Sequence, residues 1–184
     1  VTALRSALGT DYGFYDIPGF KDTGYYPIFG NGPCGIFDFH DSGNGFQNAP
    51  ELFFFAKMNR DGDLAKLRLE DMEKHSYAGS VKDLIWYEPE LASESVQLPL
   101  DKKFAYAEMG AFRSGWDDDA TYLGFHAGKN DVSHANVDAG TFVIDAMGER
   151  WAIELGGDNY NLEGYFGDKR WDYYRLRAEG QNVL

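Results

Sequence analysis

The spacing of apolar residues along the chain changes from a helical to a two-residue period near residue 103. Upstream, residues 1–8 read as two helical turns stopped by Gly9. Residues 50–58 read as a short helix carrying the run Phe53-Phe54-Phe55, with Asn48 as its candidate cap. Asp61 or Asp63 caps a helix reaching about Lys74, with Leu64, Leu67 and Met72 on or near its buried side. A further short helix is predicted over 81–87. The stretch 19–41 holds Gly24, Gly30, Gly32, Pro33 and Gly35 and reads as an irregular connection. Downstream, strands are predicted over 106–113, 121–127, 141–146, 150–155 and 173–178, joined by Gly- and Asp-rich turns such as Ser114-Gly115-Trp116-Asp117-Asp118-Asp119. Helices followed by antiparallel strands make an α+β chain whose sheet suits a sandwich. Residues 88–99 read as the linker, which divides the chain into domains 1–92 and 93–184.

One stretch departs from simple amphipathic patterning. His134, Asn136 and Asp138 alternate, so an extended backbone would put all three on one face. Residues 141–146 and 150–155 then read as a hairpin around Met147-Gly148-Glu149, with Trp151, Ile153 and Leu155 on one side and Glu154 on the other. An antiparallel pairing could bring Glu154 back toward the histidine end. A polar row on a sheet is costly unless it is solvated or used.

Bulk properties narrow the partners. At 184 residues and 43% hydrophobic content the chain can bury a real core. A net charge of −13 argues against nucleic acid, which needs a basic stripe, and against capture of a heavily sulfated polymer across the whole surface. Lys169, Arg170, Arg175 and Arg177 still allow a local basic groove. The 16% aromatic content suits stacking on sugars and equally suits a packed interior. With Cys34 as the single cysteine, no internal disulfide forms, and no apolar run has membrane-spanning length.

The blocks Ser133-His134-Ala135-Asn136-Val137-Asp138-Ala139-Gly140-Thr141-Phe142, Gly148-Glu149-Arg150-Trp151 and Glu154-Leu155-Gly156-Gly157-Asp158-Asn159-Tyr160 together resemble the heparinase II/III-like superfamily of polysaccharide lyases. Tyr174-Arg175 and Ala178-Glu179-Gly180-Gln181-Asn182 extend the resemblance, as do the upstream Thr23-Gly24-Tyr25-Tyr26-Pro27-Ile28, Gly32-Pro33-Cys34-Gly35 and Phe37-Asp38-Phe39-His40-Asp41-Ser42. The resemblance implies the end of an (α/α) toroid followed by the first strands of an antiparallel β-sandwich, with the active site between them. It implies a bacterial periplasmic or secreted enzyme acting on an acidic polysaccharide or oligosaccharide. The reaction the resemblance implies is β-elimination on a uronic-acid polymer, which needs a donor to neutralise the carboxylate, a base for the C5 proton and an acid for the leaving O4.

On this resemblance His134 matches the catalytic histidine of the sandwich domain, and an imidazole can serve as base or acid near neutrality. The family commonly binds zinc beside it, at positions resembling Asn136, Glu154 and the region of Gln181. Their oxygen donors suit a hard cation, or no metal, better than zinc, and a hydrogen-bonded polar cluster is an equal reading. The family's helical domain also supplies an Asn or His and a Tyr within a motif resembling E-G-x-x-Y-W-x-Y-G. That motif is expected upstream of Ala7-Leu8-Gly9 and does not occur in the 184 residues. Both ends read as interior points of a longer protein, so the isolated chain is expected to be inactive.

Other candidates carry less. Asn59-Arg60-Asp61-Gly62-Asp63 lacks the glycine of a calcium loop at its sixth position, where Leu64 stands, and reads as a capping turn. Asp117-Asp118-Asp119 reads as a solvated turn. His40 and Asp41 read as buried hydrogen-bonding groups, His126 as lining the cleft or packing on Tyr122, and His75 as a solvent-facing group at a helix end. Tyr165, Arg170, Tyr173, Tyr174 and Arg175 could line a sugar groove, with Arg175, Tyr174 and Tyr165 the chosen substrate-binding candidates, although alternate members of a strand must pack inward. The rival reading is a non-catalytic carbohydrate-binding or assembly domain of the same fold. A purely structural interaction protein explains the aromatic content but not the polar row.

Overall fold

A computed structural model describes residues 1–43, 45 and 47–183. It is mixed helix and sheet, as the change of period predicts. Its residues group into two compact units, one of residues 1–28 and 48–98, the other of 29–47 and 99–184.

The first unit is helical: α1 (Thr2–Leu8), α2 (Tyr26–Phe29, which ends just past it), α3 (Glu51–Asn59), α4 (Gly62–Lys74) and α5 (Val81–Trp86). Helix α3 buries five consecutive residues from Leu52 to Ala56, so it is apolar on every side and forms the centre of this unit. Phe54 meets Tyr15 and Trp86 there, Phe55 meets Phe20, and Phe53 meets Tyr87. Asn48 is not the cap of α3. Pro50 occupies that position without a side-chain bond, and the Asn48 amide oxygen instead accepts from Arg68 at 2.7 Å. Asp61 caps α4 by accepting from the Asp63 amide at 3.0 Å. Ser80 and Asp83 form a reciprocal capping box on α5. Asp83 also binds the fully buried Arg68 at 3.0 Å. Burial alone would raise the Asp83 pKa, but the bonds from Arg68 and Ser80 outweigh it and the net shift is downward.

The second unit is built on an antiparallel meander, β3 (Asp101–Phe104), β4 (Met109–Arg113), β5 (Tyr122–His126), β6 (Thr141–Ala146) and β7 (Glu149–Ala152), in sequential order. A two-stranded ladder, β1 (Asn31–Gly32) with β2 (Gly35–Ile36), lies within the stretch predicted to be irregular. Met109, Ala111, Tyr122, His126, Thr141, Val143 and Asp145 lie on the buried face of the meander. The hairpin between β6 and β7 turns on Met147 (φ 56°) and Gly148 (φ 73°), both left-handed, as a two-residue primed turn requires.

Three sequence expectations change. Strand β7 stops at Ala152, and Trp151 is the extra residue of a bulge, exposed with its indole N–H on the Ala146 carbonyl. Ile153 is exposed as well, so the apolar side expected for residues 151–155 faces outward while Glu154 is buried. Residues 173–178 are not a strand. They form 3₁₀ turns, because Tyr173 and Leu176 face inward at a spacing of three and the backbone bonds locally, Leu176 N–H to Tyr173 C=O at 3.0 Å. Finally, residues 133–138 are turns and irregular backbone, not an extended segment.

Candidate functional site

Because residues 133–138 are not a strand, His134, Asn136 and Asp138 do not share a face. Asn136 and Asp138 are fully buried, whereas the His134 side chain is 52% exposed and its backbone is left-handed at φ 63°. A non-glycine residue in that region costs of order 1 kcal/mol or more and needs support from its neighbours. The support comes from residues 38–42, where the Asp41 amide donates to the His134 carbonyl at 3.1 Å.

Asp41 is the centre of the arrangement. Its Oδ2 lies 3.1 Å from His134 Nδ1, and its Oδ1 accepts from Arg170 Nη2 at 2.8 Å and from the Tyr165 hydroxyl at 2.9 Å. Arg170 also donates to the Ala135 carbonyl and to Asn136 Oδ1, and its guanidinium lies over the Tyr165 ring. A buried carboxylate thus has a buried cation as counter-charge and fixes one imidazole nitrogen. The other nitrogen, Nε2, has no protein partner among the described residues, which is how a positioned acid or base is presented. Tyr160 brings its hydroxyl to 3.3 Å from His134 Nδ1, and Tyr160 and Phe166 place their exposed rings beside the imidazole. Burial and the Asp41 charge push the Tyr160 hydroxyl pKa up, so it stays protonated.

The other chosen residues fall in different places. Tyr165, only 1% exposed, has no surface to offer a sugar; its hydroxyl braces Asp41 and accepts the Asp158 amide. Arg175 lies on the surface and donates to the Leu155 and Gly157 carbonyls at 3.0 and 3.2 Å, and Gly157 in turn donates to Ser42. Tyr174 is 64% exposed, and among the described residues no side-chain hydrogen bond or ring contact joins it to His134. The sequence marked Asp41 only as a buried hydrogen-bonding group and Arg170 only as a possible groove residue, and it did not single out Tyr160 or Phe166. The separation of Asp41 and Arg170 by 129 positions hides the pairing from any local pattern.

Asn136 and Glu154 do not meet as a ligand pair. Asn136 donates to the His40 carbonyl at 2.9 Å and accepts from Arg170, so a cation at its oxygen would face a guanidinium. Both Glu154 oxygens are taken, one by the Thr141 hydroxyl and one by the Leu155 amide at 2.8 Å. Burial raises the Glu154 pKa against these bonds. Gln181 retains a buried oxygen without a partner, while its amide nitrogen donates to the Arg175 carbonyl. As arranged, this set does not fit a metal.

A second polar group lies nearby. Both Asp138 oxygens face His40, accepting its backbone amide at 2.7 Å and lying 2.9 and 3.0 Å from its Nδ1. The buried His126 ring stacks on Phe39 at 4.2 Å and stands edge-on to His40 at 4.7 Å. Burial, with the neighbouring His40, lowers the His126 pKa and keeps its imidazole neutral.

Comparison with known proteins places the fold. No family model matches the chain, and no curated protein sequence matches it. Among solved structures it is similar to the heparan sulfate lyase HepC from Pedobacter heparinus, with 19% identity and a TM-score of 0.52 over 78% of this chain and 19% of that one. A mutant of the same lyase matches at 19% identity and a TM-score of 0.50, over 76% and 19% of the two chains. A heparinase III matches at 16% identity and a TM-score of 0.58, over 91% of this chain and 25% of that one. The chain therefore spans about a fifth to a quarter of the length of the lyases whose fold it shares. Among the described residues no helix is long and apolar enough to cross a membrane.

Proposed function

We propose that the chain is part of a polysaccharide lyase that cleaves a uronic-acid-containing polymer by β-elimination, with His134 carrying the proton. The observation that supports it best is the exposed His134 imidazole held through Nδ1 by Asp41. Nε2 is then free to take the C5 proton or to deliver one to O4. Asp41 keeps the tautomer fixed, and Arg170 and Tyr165 keep Asp41 in place. Tyr160 and Phe166 offer an aromatic shelf for a pyranose, and Arg175 a cation for a carboxylate at its edge. In this reading the helical unit is the end of a toroid, with its domain spanning 1–92. The meander begins a sandwich domain from 93 onward, and the apolar Phe112, Leu123, Phe125, Phe142 and Ile144 on its second face suit a covering layer.

The tyrosine motif has no counterpart in the 184 residues, so the isolated chain binds acidic oligosaccharide without turning it over. A periplasmic or secreted location belongs to the same reading. The test is the appearance of unsaturated-uronate absorbance on heparan sulfate and alginate, using the protein with its encoded upstream sequence. Loss of that signal in His134→Ala is expected; an unchanged rate would remove the histidine from the mechanism.

One observation favours the rival, a non-catalytic carbohydrate-binding domain: Asn136 and Glu154 are fully engaged in structural hydrogen bonds. Saturable oligosaccharide binding by the protein with its upstream sequence, without any elimination product, would select it.

A further inference from the structure

We infer that His40, His126 and Asp138 form a binding site for a zinc-class divalent cation, at a place different from the Asn136 and Glu154 positions. Each of the three residues offers one donor atom, and all three atoms lie within 4.8 Å of one another. Two imidazole nitrogens and one carboxylate are a donor set that zinc accepts, with a fourth, tetrahedral position left for water. The His40 and Asp138 donors are already 2.9 Å apart, close to the roughly 3.3 Å edge of a tetrahedron built on zinc bond lengths. The His126 donor lies within 4.8 Å of both.

Three independent features shape the place for an ion. His126 Nδ1 is buried without any hydrogen-bond partner, which is costly for a structural histidine and ordinary for a ligand. The ring is held by stacking on Phe39, and Gly128 lies so close to its Nε2 that any side chain at 128 would collide with it. His40 is held at φ 60°, a left-handed conformation that aims its amide and its Nδ1 at the same carboxylate. Arg170 is engaged with Asp41, Ala135 and Asn136, with no bond to Asp138.

The proposal stands apart from the lyase reading and is tested without an activity assay. The purified chain, stripped with a chelator, is titrated with Co²⁺ and then with Zn²⁺. One Co²⁺ per chain with the visible absorption of a four-coordinate ion, displaced by Zn²⁺, is expected. His40→Gln and His126→Gln should each weaken Co²⁺ binding by at least about tenfold, whereas Glu154→Gln should leave it unchanged. Far-ultraviolet circular dichroism checks each fold. If His126→Gln unfolds, the partly exposed His40 carries the test alone. Absence of stoichiometric Co²⁺, full affinity in folded His40→Gln, or an equal loss in Glu154→Gln would overturn the site.

Discussion

Asp41 Oδ2 lies 3.1 Å from His134 Nδ1 although the two residues are 93 positions apart, and Arg170 and Tyr165 close on the other oxygen of the same carboxylate. Removing the carboxylate leaves the buried Arg170 without its ionic partner. Asp41→Leu is therefore expected to cost about 3–5 kcal/mol in urea unfolding. Asp41→Leu with Arg170→Leu should cost less than the sum of the two single changes. Additive losses would mean that the pair is not coupled.

Arg68 and Asp83 make the corresponding pair in the helical unit, at 3.0 Å. Arg68→Met is expected to lose about 3–5 kcal/mol at neutral pH. The Asp83 pKa is lowered from its ordinary 3.8, so its contribution is complete above that value and fades as pH falls through the lower folded value. The deficit of Arg68→Met should consequently shrink in acid, which chemical denaturation across pH 2–7 would reveal.

Glu154 behaves in the opposite sense. Burial raises its pKa above the ordinary 4.5, so the folded state holds the proton more tightly than the unfolded state. Stability attributable to this group falls as pH rises from the ordinary value through the raised one, and stays low above it. Glu154→Gln should gain on the parent across that window and converge with it in acid. A difference independent of pH would show that the carboxyl is not perturbed.

Met147 holds φ 56° in the hairpin turn and is 80% exposed, so it contributes strain without packing. Met147→Asn creates the Asn-Gly pair that this turn favours. A gain of about 0.5–1 kcal/mol is expected in thermal or urea unfolding.

Phe166 and Tyr160 flank the imidazole with exposed rings. Phe166→Ala should shift stability by no more than about 0.5 kcal/mol, while weakening oligosaccharide binding several-fold by calorimetry. Unchanged affinity would remove the shelf from the binding reading.

The change of period near residue 103, the cap at Asp61, the short helix from Val81 and the Met147-Gly148 turn follow from local rules, and each is where those rules put it or within a few residues. Propensity and turn chemistry act over fewer than ten residues and are written in order along the chain. Two of the errors are of one kind. Alternation at 134–138 and at 173–178 fits a strand as well as it fits a string of turns, and only contacts distinguish them: His134 is pinned by Asp41, and Val137 N–H bonds Leu176 C=O at 2.9 Å.

By itself the sequence determined the α+β class and the hairpin, and it offered His134 as a candidate. The tertiary structure decided which carboxylate serves that histidine, that Tyr165 braces the site while Tyr160 and Phe166 face solvent, and that His40 and His126 converge on Asp138. The physical reason is that buried charges must find partners wherever the fold brings them, and the distance along the chain between such partners carries no local signal.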